Sequence, residues 1–410
     1  MTRGLVLFED GRWPDLSPLT DLLPVPALAF GASDLASRWR HAVDAPLLSI
    51  EARPGAMGVW REAPAPAPSR PGEVEEVLAV NAAVLPGPWL AATAQVPAPA
   101  LFVCGDRLVA ARLGAAAAAP GLGRGDGFAA FLAGLGLPRH PVDARLIAWP
   151  WQVVEWNPEA IADDLARVRG AMRGDVHRLA AVYEPERVTV EPGARVDAYA
   201  VLDAREGPIH VGADAVVRSH TMVVGPCAVG AGTHLLGGAV GRSTLGPGCR
   251  IAGEVDECVW QGWANKRHHG FVGHSVVGAW ANLGALTTTS DLKNNYGTVR
   301  VHAARREVDS GLVKLGSLIG GGVKTGIGTL LPTGAEIGTG SHLFGGGRYA
   351  PKHLPAFSWW DGERLGEYQL ENFLATARIA MRRRGTELSP GDETALRALF
   401  DATAGERRRG

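Results

Sequence analysis

The stretch that decides the fold is "VGADAVVRSHTMVVGPCAVGAGTHL", residues 211–235. Large apolar residues recur in it at every sixth position, namely Val211, Val217, Val223, Val229 and Leu235. The residue four positions after each of these is usually small. A period of six fits neither the α-helix, which repeats at about 3.6 residues, nor the simple alternation of a strand. It predicts a triangular coil, in which each flat side carries one large and one small inward side chain.

The same period extends well beyond this stretch. It returns after a break at Leu245 and Ile251, and in a shifted register at Val259, Asn265, Phe271, Val277 and Leu283. Stacked coils of this kind bury like residues in a continuous core, as in other solenoids. Cys227 and Cys249 occupy the small positions, so packing accounts for both. We therefore predict a parallel β-helix over residues 188–355.

The flanking segments have other patterns. Residues 1–180 mix short strands with helices, and a strand over 4–10 and a hairpin over 101–113 that turns at Gly105 and Asp106 are predicted. The Pro/Ala-rich stretch 63–72 predicts a stiff loop. In the segment 356–410, helices are predicted over 367–385 and over 389–405, where Ser389 is the cap. Arg382 to Arg384 are interpreted as a solvated helix end.

Composition excludes several classes of function. The net charge of −1 gives no reason to expect nucleic acid or an acidic membrane as a partner. The sequence has no apolar run of the ~18 residues that a membrane span needs, and no signal peptide. The four cysteines form no C-x-x-C pair, which favours the reducing cytoplasm as the location.

Lysine has an uneven distribution. All five lysines fall in one part of the chain, at Lys266, Lys293, Lys314, Lys324 and Lys352. Their clustering fits an ordinary solvated surface. It also fits a site where compact ammonium groups bind phosphates or a carboxylate, and Lys266 and Lys293 are the candidates for holding phosphate.

The stretch "GWANKRHHGFVGHS", residues 262–275, is the candidate catalytic site. If Asn265 holds the large inward position, Lys266 and His268 face outward, and His269 falls in the small inward position. On this register Trp263 and His269 break the rule that the small positions hold small residues. Such a local departure from a regular array often marks a functional site.

The hexads, together with K-x-H, F-V-G, N-L-G-A and N-N-Y-G in this order, resemble the left-handed β-helix acyltransferases. Over residues 209–345 the sequence is most similar to the acetyltransferase half of the bifunctional glucosamine-1-phosphate acetyltransferase / N-acetylglucosamine-1-phosphate uridyltransferase family. The resemblance implies an all-β left-handed parallel β-helix of hexapeptide repeats with C-terminal helices. It also implies a homotrimer with acetyl-CoA as co-substrate in the groove between neighbouring subunits.

The resemblance also implies roles for particular residues. His268 matches the general base of the family, and an imidazole with an unperturbed pKa near ~6.5 suits that task. Residues matching those that hold the sugar phosphate are Asn282 and, within "NNYG", Asn295 and Tyr296; residues matching the coenzyme A channel are Ala285 and Ser317. Phe271 replaces a tyrosine that contacts the sugar in the family, so the acceptor, a sugar phosphate or a nucleotide sugar, stays open.

The N-terminal segment 5–40 resembles the start of the sugar nucleotidyltransferases, in a subgroup with a shortened first half. It keeps a strand and a following helix but lacks the glycine-rich phosphate loop. This implies an α/β nucleotidyltransferase-like (Rossmann-like) domain, reduced in size, over residues 1–180. Arg12 is the candidate for a substitute phosphate ligand, and an ordinary surface residue is the alternative interpretation. Asp106 is either a metal ligand or a hairpin turn residue, and Mg²⁺ would be needed if nucleotidyl transfer occurs.

Two other functions fit the same residues. His269 and His274, with His234 lying 35 residues before His269, resemble the zinc ligand spacing of the γ-class carbonic anhydrases. A zinc hydratase leaves the asparagines and lysines without a role. The other alternative is a non-catalytic trimeric scaffold whose N-terminal domain binds a nucleotide sugar.

Overall fold

A computed structural model describes residues 2–53, 74–166 and 168–407, so the predicted loop 63–72 lies outside the described residues. The chain forms two compact units. The first comprises Met1–Asp15, Leu22–Leu28 and Asp34–Ala148, and the second comprises Leu16–Asp21, Ala29–Ser33 and Trp149–Gly410. Among the described residues, none of the helices has both the length and the apolar character that crossing a membrane requires.

The first unit is built on a mixed sheet. The strands up to residue 148 are β1 (Arg3–Phe8), β2 (Ala29–Phe30), β3 (Ser33–Asp34), β4 (Leu47–Glu51), β5 (Glu76–Asn81), β6 (Ala100–Cys104), β7 (Arg107–Gly114) and β8 (Arg139–Pro141). The helices are α1 (Leu35–Ala42), α2 (Trp89–Ala94), α3 (Ala115–Ala118) and α4 (Phe128–Gly134). Six strands pair in the order β4-β1-β5-β7-β6-β8, and β1 runs parallel to both of its neighbours. The predicted α/β character is confirmed, as is the hairpin β6–β7.

The second unit holds the remaining elements and also includes β2. Its strands up to residue 260 are β9 (Asp175–Val176), β10 (Ala181–Tyr183), β11 (Val188–Val190), β12 (Arg195–Val196), β13 (Val201–Asp203), β14 (Ile209–Val211), β15 (Val216–Val217), β16 (Thr221–Val224), β17 (Cys227–Val229), β18 (His234–Gly241), β19 (Thr244–Leu245), β20 (Arg250–Asp256) and β21 (Val259–Trp260). The later strands are β22 (Asn265–Lys266), β23 (Phe271–Gly273), β24 (Val276–Val277), β25 (Thr288–Thr289), β26 (Arg300–Ala303), β27 (Arg306–Asp309), β28 (Leu318–Ile319), β29 (Lys324–Thr325), β30 (Leu330–Leu331), β31 (Glu336–Ile337), β32 (His342–Leu343), β33 (His353–Leu354), β34 (Ser358–Trp360) and β35 (Leu365–Glu367). The helices are α5 (Gln152–Glu155), α6 (Asn157–Leu165), α7 (Leu370–Arg382), α8 (Pro390–Ala402) and α9 (Ala404–Arg407).

These strands form a parallel β-helix of about ten turns, which confirms the predicted left-handed β-helix class. One side is a nine-stranded parallel ladder in the order β11-β14-β17-β19-β21-β24-β28-β31-β33. Columns of valine, leucine and isoleucine fill the interior, and the predicted inward residues from Val211 to Leu235 are all fully buried. Cys227 and Cys249 lie in the small positions with no exposed surface, which confirms their packing role. The predicted domain limits at 180 and 355 stay a prediction.

The register of the middle coils differs from the predicted one by one residue. Leu245 pairs with Trp260, and Ile251 pairs with Lys266, so Trp260 and Lys266 occupy the large inward positions. Val259 is buried as well, because the segment 29–33 lies outside it and Ala29 N–H donates to Gln261 at 2.8 Å. Burial on both faces removes the alternation from which the register was inferred. With the register corrected, the small positions hold Ala264 and Gly270, and the coil keeps the hexad rule.

The C-terminal helices pack on the end of the β-helix. Helix α8 begins at a capping box in which Ser389 and Asp392 bond reciprocally, as the predicted cap requires. The rings of Phe373 and Phe400 pack edge-on against Phe357 at centroid distances of 5.3 and 5.2 Å. The predicted helical segment is therefore confirmed, and it forms part of the second unit.

Candidate active site on the β-helix

Lys266 lies inside the β-helix and has no exposed surface. Its ammonium group donates hydrogen bonds to the carbonyls of His268 and His269, each at 2.9 Å. Burial lowers the pKa of Lys266 to about 8. The expectation that Lys266 faces outward and holds phosphate is wrong, because its own coil encloses the ammonium group.

Glycine at 270 makes room for this ammonium. Gly270 has a φ of +130°, and a Cβ there would lie 2.7 Å from Lys266 Nζ and 2.3 Å from the carbonyl oxygen of Thr287. The backbone around it is fixed further, because Leu286 N–H donates to His269 O at 2.8 Å. The loop that carries the two histidines is thus held from inside by a buried lysine.

Both histidines of this loop are exposed. The outward position of His268 agrees with the prediction, whereas the inward or sideways position expected for His269 is wrong because Gly270 takes the small inward place. Neither ring makes a hydrogen bond to another of the described residues, so both imidazoles are free to contact a substrate. The geometry presents two adjacent candidate bases where the sequence favoured one.

A cleft opens on the β-helix face next to this loop. It has a volume of about 460 Å³ and is lined by Asn265, Arg267, Trp280, Asn282, Lys324, Thr376, Ile379, Ala380, Arg383 and Arg384. Asn265, Asn282 and Lys324 are cross-strand neighbours on successive coils. The structure therefore places the predicted substrate ligand Asn282 in a cationic cleft. Its other wall, helix α7 with Arg383 and Arg384, was interpreted from the sequence as a solvated helix end.

The other predicted sugar-phosphate ligands lie elsewhere on the same unit. Lys293 Nζ donates to the carbonyl of Thr298 at 2.9 Å, and Asn295 accepts from Gly297 N–H at 3.1 Å, so both stabilise a local turn. Tyr296 is 70% exposed at the tip of that turn. None of Lys293, Asn295 and Tyr296 lines the cleft that contains Asn282.

The two predicted coenzyme A ligands differ in accessibility. Ala285 is half-buried and precedes Leu286, which is 57% exposed at a corner of the coil. The side chain of Ser317 is fully buried in a small inward position, because its neighbour Leu318 pairs with Val276 and Glu336 in the nine-stranded ladder. The expectation that the Ser317 side chain lines a channel is wrong, since it faces the core.

His274 belongs to a network of charges and has no place in a zinc site. Its Nδ1 lies 2.7 Å from Asp291 Oδ2, and its Nε2 lies 3.2 Å from Glu257 Oε2. Arg242 bonds the same Glu257 at 3.0 Å. Burial alone would lower the pKa of His274, but the hydrogen bonds to Asp291 and Glu257 outweigh it and raise the pKa to about 9. In the described parts of the chain no three or more His, Cys, Asp or Glu side chains are grouped to hold a metal, so the zinc alternative lacks a ligand set.

The His274 network predicts a pH-dependent stability. A histidine with a raised folded-state pKa contributes fully below its unfolded pKa of about 6.5, and the contribution is lost as the pH rises through about 9. The histidine should therefore add on the order of 2 kcal/mol to the free energy of unfolding at pH 6 and little at pH 10. We expect His274→Gln to lower the melting temperature strongly at pH 6 and weakly at pH 10. The exposed His220→Gln is the control, and an equal loss at both pH values would contradict the prediction.

The first unit carries a second polar site at the carboxyl ends of β1 and β5. Glu9 is fully buried, and its carboxylate accepts from Val25 N–H at 2.9 Å and from Arg53 Nη1 at 2.8 Å. Burial raises the pKa of Glu9, although Arg53 opposes the shift. This ion pair stands at the end of β1, where the sequence lacks a glycine-rich loop. An enclosed carboxylate does not cradle phosphate oxygens.

The other charged side chains at this edge of the sheet also form hydrogen bonds or ion pairs with one another. Asp10 accepts from Asn81 Nδ2 at 2.8 Å and from Arg107 Nη2 at 2.7 Å. Arg12 is exposed, and its guanidinium lies 3.7 Å from Asp15 and 3.9 Å from Asp106. Asp106 occupies the β6–β7 turn, beside Gly105 with its φ of +59°. Among the described residues, this edge of the sheet therefore holds no group of three or more carboxylate, histidine or cysteine side chains that could bind Mg²⁺.

The two units define the class of protein: an α/β unit followed by a hexapeptide-repeat β-helix. Residues 5–171 match the family described as "Sugar nucleotidyl transferase". The chain is 34% identical over 93 residues to the "Bifunctional sugar-1-phosphate nucleotidylyltransferase/acetyltransferase" of Sulfurisphaera tokodaii, and the match covers 23% of each chain. It is 39% identical over 74 residues to the "Bifunctional protein GlmU" of Methanococcus maripaludis, and the match covers 18% of each chain. These matches confirm the resemblance to the bifunctional nucleotidylyltransferase/acetyltransferase family.

The chain also aligns with two solved structures of UDP-N-acetylglucosamine acyltransferases. The protein from Campylobacter jejuni is 14% identical, with a TM-score of 0.27, and the alignment covers 55% of this chain and 83% of that one. The Arabidopsis protein is 12% identical, with a TM-score of 0.18, and the alignment covers 58% of this chain and 93% of that one. The matches to the two curated relatives, from Sulfurisphaera tokodaii and Methanococcus maripaludis, each span less than a quarter of that relative's length.

Proposed function

We propose that the protein is a CoA-dependent acyltransferase that acts on a sugar phosphate or a nucleotide sugar. The observation that carries the proposal is the exposed His268, on a loop anchored by Lys266 and directly after Arg267 of the cationic cleft. A base and a cationic cleft on adjacent residues are what transfer to a phosphorylated acceptor requires.

The chemistry assigned to this chain is acyl transfer in which His268 acts first as a general base and then as a general acid. His268 takes the proton from the acceptor amine as its nitrogen attacks the thioester carbonyl of acyl-CoA. The C–N bond forms, the C–S bond breaks, and the proton held on the imidazole passes to the departing thiolate. Asn282 is proposed as a ligand of the acceptor, while Asn295, Tyr296 and Lys293 contact it only if their turn reaches the cleft. Acetyl-CoA is the proposed co-substrate.

An acceptor-dependent assay tests this function. Full-length protein is incubated with acetyl-CoA and a panel of amino-sugar phosphates and nucleotide amino sugars, and free thiol is measured over time. We expect thiol release that requires an acceptor. Release that is absent with every acceptor would favour the scaffold alternative, in which the protein only binds a nucleotide sugar.

The first unit is proposed to retain a sugar nucleotidyltransferase function, because residues 5–171 match that family. Arg12 is the proposed phosphate ligand, and its neighbours Asp15 and Asp106 weaken that assignment by competing for the guanidinium. Pyrophosphate release from UTP or dTTP in the presence of a sugar-1-phosphate measures the activity.

The free cysteines are consistent with the proposed cytoplasmic location.

A homotrimer is proposed as the assembly. Exposed apolar side chains lie on neighbouring coils at the end of the β-helix, namely Leu286, Ile327, Phe344 and Tyr349. Contiguous apolar surface of this kind is typical of contacts between subunits. We expect a mass of three chains by light scattering and a shift to smaller species in Ile327→Glu. A wild-type protein that is monomeric at micromolar concentration would contradict the proposal.

A further inference from the structure

The cleft beside β22 contains positive charge that is not neutralised. The charged side chains of Arg267, Lys324 and Arg383 make no hydrogen bond or ion pair with another described residue, although all three residues line the cleft. Arg384 donates to Asn265 Oδ1 at 3.3 Å and to the carbonyl of Gly248, which are both neutral groups. The lining residues include no carboxylate. Four cations therefore converge on a concave surface without an anionic partner from the described chain.

The pKa shifts of the cations in and around the cleft also favour the binding of an anion there. Burial lowers the pKa of Arg384, and the nearby Arg267 lowers it further. Burial and the charge of Arg384 likewise lower the pKa of Arg250, which donates only to backbone carbonyls such as Gly232 O at 2.7 Å. Burial also lowers the pKa of Lys324. Cations that repel one another in a partly desolvated cleft are stabilised when an anion binds among them.

The walls of the cleft add neutral groups that suit a nucleotide. Trp280 lines it and stacks on Trp263 with ring centroids 5.3 Å apart and an interplanar angle of 6°. Asn265 and Asn282 supply amides, which both donate and accept hydrogen bonds. A planar indole can stack on a base or cover a sugar ring, while the guanidinium groups bind phosphate oxygens in pairs.

We propose that this cleft binds the phosphate groups of a nucleotide, with Arg267, Lys324, Arg383 and Arg384 as the phosphate ligands. The pyrophosphate of coenzyme A and that of a nucleotide sugar share this chemistry. The choice between these two sources rests on the proposed acyl transfer, whereas phosphate binding itself does not. The proposal also gives the end of helix α7 a role, because the turn that follows the helix supplies two of the four cations.

Calorimetric titration of the full chain tests the proposal. The probes are inorganic pyrophosphate, coenzyme A and UDP-N-acetylglucosamine, each at low and at moderate NaCl concentration. We expect binding that weakens severalfold with salt, as contacts between exposed cations and phosphates do. Competition between the probes identifies the source: coenzyme A displaced by pyrophosphate but not by the nucleotide sugar assigns the cleft to the acyl donor, and the reverse assigns it to the acceptor.

Two charge-neutral variants and a matched control locate the site. Lys324→Gln and Arg383→Gln should each weaken binding by roughly tenfold, the effect of losing one charge-assisted hydrogen bond. Arg382→Gln removes the neighbouring charge of α7 that does not line the cleft, and it should leave the affinity within about twofold. Melting curves of all three variants check that they are folded.

The outcomes separate this proposal from the proposed function. Binding with these variant effects but without acyl transfer would support the cleft and refute the transferase. Binding of the probes that is unaffected by Lys324→Gln and Arg383→Gln would overturn the cleft, and acyl transfer observed in the same protein would leave the transferase standing. The absence of binding for all three probes at millimolar concentration, or an equal loss in Arg382→Gln, would also overturn it.

Discussion

His268→Ala is expected to lower kcat/KM for acyl transfer by about 10²–10⁴-fold, the range that a positioned general base contributes. Its ring is exposed and unpaired among the described residues, so removing it should leave the stability of the fold unchanged. The measurement is acceptor-dependent thiol release at saturating acetyl-CoA, together with a melting curve.

His269→Ala is the matched control, because it removes a second exposed imidazole from the adjacent position of the same loop. If His268 is the base, the control should retain activity within a few-fold. If His269→Ala abolishes transfer while His268→Ala does not, the base is assigned to His269. Equal and small effects of both substitutions would contradict a histidine base on this loop.

Lys266→Met is expected to reduce acyl transfer by roughly tenfold to a hundredfold while leaving the fold intact. Methionine is close to lysine in length and fills the inward position, and removal of a buried charge without a carboxylate partner relieves desolvation. The carbonyls of His268 and His269, however, lose the donor that holds them at 2.9 Å. A base displaced by about 1 Å from its working geometry loses rate on this scale.

Lys266→Ala is the companion variant. It loses the same hydrogen bonds and also leaves a cavity in the core, so we expect a loss of about 2–4 kcal/mol in the free energy of unfolding. Urea denaturation of both variants separates the two effects. A fully active Lys266→Met would show that the buried lysine does not position the loop, and an unfolded Lys266→Met would show that its role is purely structural.

The accessibility of the candidate residues carried over from the sequence follows the local strand, and their roles stay predictions. Asn282 was predicted as a ligand and lies in the cleft because it points outward from its coil, next to Asn265 and Lys324. Ser317, which matches a position of the coenzyme A channel, has a fully buried side chain, since its coil turns the side chain inward. Arg383 and Arg384 were missed as site residues. The signal that could have found them is the run of cations at the end of an amphipathic helix whose other face packs on Phe357.

The hexad period by itself determined the β-helix, because the shape of each coil follows from the spacing of large and small side chains a few residues apart. The tertiary structure alone decided the register at Trp260 and Lys266, since the segment 29–33 buries the outer face there and removes the contrast between inside and outside. It also decided the cleft, which joins residues 265–282 to residues 376–384. No local pattern encodes a contact across that separation; it arises only when helix α7 packs back on the stacked coils.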